Sequence, residues 1–172
     1  MKQSSFLQGV APKGSVLQVV STTKTDATVI SVAGSSFTGN VSGLTVAITP
    51  SATSSKVRVE GFINSARDTN APFATLRIMR DSTPIGIGDA ASSRPRVTAH
   101  VVITANSDSS NIAVPFSFTD EPSTTSEVIY GIQLYNTGSG PVNYYVNRTP
   151  GDTNSSVYPR SISTITATEV AG

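Results

Sequence analysis

Hydrophobic and polar positions alternate along most of this chain. The clearest case is the stretch from residue 44 to 63, LTVAITPSATSSKVRVEGFI. Leu44, Val46 and Ile48 alternate with Thr45, Ala47 and Thr49. Val57, Val59, Gly61 and Ile63 alternate with Lys56, Arg58, Glu60 and Phe62. Successive side chains of a strand point to opposite faces, so each run predicts a strand with one buried face. A Ser/Thr/Pro loop at residues 50–55 separates them, and the pair reads as a hairpin.

The same rule predicts strands at residues 16–21, 27–32, 74–80, 97–104, 111–118, 127–135, 142–147 and 161–170. A short piece at 85–88 follows Pro84, which cannot donate to a ladder and so predicts an edge or a bulged corner. Pro115 lies on the parity opposite Val114 and Phe116, which again predicts an edge or a bulge. Turn chemistry fills the gaps: Thr38-Gly39-Asn40, Asp68-Thr69-Asn70-Ala71-Pro72, Asn106-Ser107-Asp108, residues 136–140, and Thr149-Pro150-Gly151-Asp152. No stretch keeps a 3.6-residue period. About ten short strands at near-regular spacing predict an all-β fold, a two-sheet antiparallel β-sandwich of jelly-roll type. Pattern alone fits an immunoglobulin-like sandwich as well. The domain spans residues 14–172, an ordinary size for one core. Residues 1–13 lack a period and read as an extended arm carrying Phe6, Leu7 and Val10.

Composition narrows the function. The 172 residues contain no cysteine, so no disulfide framework or thiol chemistry is expected. Net charge is +1 and charged residues are 13%, against an electrostatic nucleic-acid or membrane-surface binder. Apolar runs fall far short of the ~20 residues that span a bilayer. Residues 1–14 lack the apolar core of a secretory signal. Ser and Thr make up roughly a quarter of the chain, well above ordinary usage. They suit loops and the wet faces of strands.

Candidate chemistry is sparse. His100 is the one histidine, and no nucleophile elbow accompanies it, so it reads as a sheet-face residue. Gly86-Ile87-Gly88 is followed by Ser92-Ser93-Arg94-Pro95, which opposes the helix that a phosphate loop needs. Asp152-Thr153-Asn154-Ser155 resembles the start of a calcium loop, but Val157 and Ser163 stand where Gly and Glu are required. Asp120 and Glu121 read as a solvated turn. No catalytic residue, metal or cofactor is expected. Phe62, Met79, Ile129, Tyr135 and Tyr145 lie on the parity opposite the core face of their strands. Such outward apolar side chains predict a subunit interface. Cover by loops of the same chain is the competing explanation.

Four collinear segments carry a resemblance. They are the stretch at 44–63; GSVLQVVSTTKTD at 14–26; RDSTPIGIGD at 80–89; and the tail from VNRT at 146 through YPRSISTIT at 158 to EVAG at 169. Together they resemble a family of bacteriophage virion structural proteins common in cyanophage and marine phage. The resemblance covers nearly everything after Lys13. It implies a non-enzymatic, trimeric β-sandwich exposed on a virion, with no catalytic residues. Members often end longer tail-fibre chains. A fibre needs a tail-binding segment and usually a shaft, and this sequence holds neither. The expectation is therefore a head decoration (cement) protein on the outer capsid surface. Its partners would be its own copies and the major capsid protein, with Phe6, Leu7 and Val10 docking on the shell. A tail-fibre tip recognising host glycans is the alternative.

Overall fold

Eleven strands and no helix form among the described residues of this computed structural model, which are 11–68, 73–102 and 108–172. They are β1 (Val16–Lys24), β2 (Thr28–Val32), β3 (Thr45–Ile48), β4 (Lys56–Arg67), β5 (Phe73–Arg80), β6 (Thr83–Ile85), β7 (Ala99–Val102), β8 (Ile112–Asp120), β9 (Val128–Leu134), β10 (Val142–Val146) and β11 (Ser163–Val170). The arm with Phe6, Leu7 and Val10 lies outside the described residues down to position 10. So do the turn at 69–72, the turn residues 106–107, and the end of the strand expected at 97–104.

All pairings are antiparallel. The pairs nest: β2 with β10, β3 with β9, β4 with β8, and β5 with β7. Folding such a ribbon across its length gives two sheets, β2-β10-β4-β8 and β3-β9-β5 with β6 and β7. That is a double-sheet jelly roll. β11 and β1 extend the first sheet to six strands. β11 and β10 share one edge of β4, at residues 56–62 and 65–67, which explains why β4 is twelve residues long.

The alternation holds. Val57, Val59 and Ile63 of β4, Leu76 and Ile78 of β5, Tyr130, Ile132 and Leu134 of β9, and Ile165 and Ala167 of β11 are all fully enclosed in one core between the sheets. Each of the Val, Leu and Ile side chains among them contributes about 1.5–3 kcal/mol when buried. Two expectations change. β3 and β4 form no hairpin: β3 belongs to the five-stranded sheet, and residues 49–55 carry the chain across to the other. Alternation selects the buried face and leaves the neighbour open. Asp120 is no solvated turn residue either. It ends β8 at 6% exposure, accepts from the Tyr130 hydroxyl at 2.8 Å, and pairs with Arg80 Nη1 at 3.0 Å. Glu121 is the solvated member, paired with Lys56. Pro115 does lie on an edge strand, since β8 pairs with β4 on one side only.

The fork where β10 and β11 leave β4 is held by Asn147, in left-handed backbone at φ 60°. Its amide donates to the carbonyls of Lys24 and Asp26 at 2.8 and 3.1 Å, and its oxygen accepts from Ser163 Oγ at 2.6 Å. Ser163 Oγ in turn accepts from the Asn64 amide.

Candidate functional site

The residues expected at a subunit interface fall on opposite faces of the sandwich. Phe62 and Tyr145 lie on the outer face of the six-stranded sheet. Phe62 is half-buried, in register with Pro115 on one side and Thr164 on the other. Tyr145 donates to Asp68 Oδ1 at 2.6 Å, and Arg148 sits 4.7 Å over its ring. The bond to Asp68, with burial, raises its phenol above the ordinary value.

Met79, Ile129 and Tyr135 belong to the five-stranded sheet. Ile129 is 41% exposed, opposite Ala47. Tyr135 follows β9 and stacks on Phe37 with ring centres 4.6 Å apart. The Arg77 guanidinium covers the same Phe37 ring at 3.6 Å and donates twice to Gln133 Oε1. Met79 departs from expectation. It is 3% exposed within the single chain, so it presents no surface to a partner. Its neighbours in register are Gly131 and Pro84, and Asn40 folds over Gly131. A glycine beside it and a loop above it enclose the side chain. Loop cover is the correct explanation there. His100, on the same sheet, meets Thr75 Oγ1 through Nδ1 at 2.7 Å.

The most exposed apolar row lies elsewhere, on β1. Val16 is 61% exposed, Leu17 38% and Val19 59%. β1 pairs with β11 on one side and forms the outer edge of the sheet. Leu17 is an extra residue in the ladder, since Val16 faces Val170 and Gln18 faces Glu169. A bulge of this kind turns side chains out of the regular alternation. Next to it runs a groove of about 240 Å³ lined by Ala11, Leu17, Ser51, Ala52, Ser54, Ser55, Ala171 and Gly172. Gly14 N donates to Ala171 O at 2.8 Å and Ala171 N to Ser15 O at 2.9 Å, so the segment entering β1 is tied to the end of β11. The signal was present in the sequence. Residues 16–20, VLQVV, are apolar on both parities, unlike a strand with one wet face.

An enclosed carboxylate anchors this edge. Glu169 has no exposed surface. It accepts from Gln18 Nε2 at 2.6 Å and from the amide and hydroxyl of Ser51, each at 2.7 Å. Burial opposes its charge, but these donors outweigh that and hold the carboxyl at about 2. The Ser55 hydroxyl lies beside them, outside hydrogen-bonding geometry. Among the described residues no cluster of three or more His, Cys, Asp or Glu forms a metal site.

No protein-family model matches the sequence, and no curated protein matches it. Among solved structures, a chain in a structure of infectious bursal disease virus, Gt strain, aligns with 95% of this chain at 12% identity and a TM-score of 0.47. The present chain spans 42% of that chain's length.

Proposed function

We propose that this chain is a non-enzymatic structural protein of a virion, a decoration (cement) protein that sits on the outer head surface as a trimer and braces the shell. One observation carries the reading: the exposed Val16, Leu17 and Val19 on a free sheet edge. Apolar side chains on an unpaired edge invite association unless an assembly covers them. In this reading the β1 row forms the contact between copies. Ala11 lines the adjoining groove, and in this reading Phe6, Leu7 and Val10 of the arm dock on the major capsid protein. The mechanism is mechanical. Area buried across capsomers opposes internal pressure, and a trimer engages three shell sites at once.

Sedimentation equilibrium tests the contact. The wild-type chain should be a trimer, and the Val16→Lys/Val19→Lys variant a folded monomer. Removal of residues 1–13 should leave the trimer and abolish capsid binding. Particles should carry on the order of hundreds of copies, as shell sites are many. A monomeric wild type, or a double variant that still assembles, overturns the contact. A few tens of copies per particle would move the chain to a tail. The second reading is a tail-fibre tip that recognises host glycans, and a polar cleft in the β10–β11 loop favours it.

A further inference from the structure

The assembly reading leaves the loop between β10 and β11 unused. It holds a cleft of about 360 Å³ lined by Asp152, Thr153, Asn154, Ser155, Tyr158 and Arg160. Its chemistry is fixed before any ligand arrives. The Asp152 carboxylate bridges two guanidiniums, Arg148 Nη1 at 2.6 Å and Arg160 Nη2 in direct contact. The two arginines face each other across an isolated antiparallel bridge. Arg148 is further held over Tyr145. Tyr158 packs onto the backbone of Gly151, where an added Cβ would lie 2.2 Å from the ring. Backbone bonds from Ser155 to Thr153 and from Tyr158 to Ser155, with the Thr149 hydroxyl on Gly151 O, close the loop. Asp108 meets it through its carbonyl, which accepts from Gly151 N.

Two cations share one carboxylate, so the cluster keeps one net positive charge. Its lining joins that charge to an aromatic ring and to hydroxyl and amide groups. We propose that this cleft binds an acidic saccharide residue, a hexuronate within a polysaccharide. The sugar carboxylate pairs with the unused N–H groups of Arg160, which is 55% exposed at its side chain. The apolar face of the pyranose packs on Tyr158. Ring hydroxyls reach Asn154, Thr153, Ser155 and the remaining lone pairs of Asp152. A neutral hexose leaves the extra charge unmatched, and a bare phosphate or sulfate has no face for the ring. The inference rests on the glycan reading for its biological setting and on the cleft alone for its chemistry.

NMR titration of the full chain tests it, with uronate trisaccharides of galacto, gluco and manno configuration, maltotriose, and sodium acetate. At least one uronate should bind saturably at about millimolar affinity, with shifts centred on residues 148–160. Arg160→Ala and Tyr158→Ala should each weaken it by about tenfold or more, while Tyr158→Phe retains it. Thermal unfolding of each variant confirms that the fold is kept. Several outcomes overturn the proposal: no binding by any uronate, equal binding of maltotriose, the same shifts from acetate, or unchanged affinity in Arg160→Ala. Trisaccharide binding without adsorption to host cells would leave the site standing and remove the receptor role.

Discussion

Glu169→Gln tests the anchor under the proposed assembly edge. The carboxylate is enclosed and accepts three hydrogen bonds, from Gln18 and twice from Ser51. Glutamine keeps the shape but replaces one acceptor oxygen by an NH₂ group, so a donor then faces a donor. Hydrogen bonds to a charged group contribute about 1.5–3 kcal/mol. Titration gives a second figure. The carboxyl is lowered from 4.5 to about 2, and each unit corresponds to about 1.4 kcal/mol. The full shift therefore amounts to about 3.5 kcal/mol; glutamine keeps one acceptor oxygen, which leaves a loss of about 2 kcal/mol. The sign follows from linkage. A carboxyl with a depressed folded pKa stabilises the fold in its ionised form. That contribution is complete above the unfolded value near 4.5 and is lost as pH falls towards about 2.

Urea denaturation of both proteins from neutral pH downward measures it. At pH 7, a pH well above both values, the variant should be less stable by about 2 kcal/mol. The gap should close as pH drops through the range below about 5. Asp26 and Glu121 are also lowered, by Lys24 and Lys56, but both proteins share them and they cancel in the difference. Stability curves that run parallel across the acid range would refute the reasoning. So would a variant as stable as wild type at neutral pH.

Asn147→Gly keeps the left-handed backbone and loses the bonds to Lys24 and Asp26, so it should cost about 2 kcal/mol. Asn147→Ala adds roughly 1 kcal/mol of backbone strain, and a glycine variant less stable than the alanine variant in urea would contradict this. Gly61→Ala sets a methyl group 2.1 Å from the Thr164 carbonyl oxygen, in the backbone of β11. It should cost about 3 kcal/mol or more in thermal unfolding, and wild-type stability would refute the close approach.

The sequence made the strands readable because one face of each is buried, and burial imposes period two. β8 and β11 follow that rule residue by residue. Partner choice left no such mark. The stretch at 44–63 looks like a hairpin locally, yet its two strands lie in different sheets, because alternation reads the same whichever sheet a strand joins. Buried polar groups were also hidden. Asp120 and Glu169 sit at strand ends, where a carboxylate reads as solvated. Their enclosure depends on Arg80, Tyr130, Gln18 and Ser51, which are distant in sequence. Met79 departed from expectation for a related reason. Parity says which face a side chain takes, but whether a loop covers that face is a tertiary property, as Met79 shows.

The eight-strand nest from β2 to β10 accounts for the jelly roll without β1. β1 is the outermost addition. Its ladder rests on β11, and the Gln18–Glu169–Ser51 cluster ties it to the loop that crosses between the sheets. An edge strand with one neighbour opens at lower free energy than a central strand. A partner that covers Val16, Leu17 and Val19 binds the closed edge and must stabilise it by the same free energy that the closed edge lends to binding. The proposed assembly and the Glu169 anchor would therefore be coupled. Weakening the anchor should loosen the proposed contact even though Glu169 is enclosed within its own chain. In the proposed assembly, the buried carboxylate would hold the β1 backbone in register for the second copy that covers the apolar row.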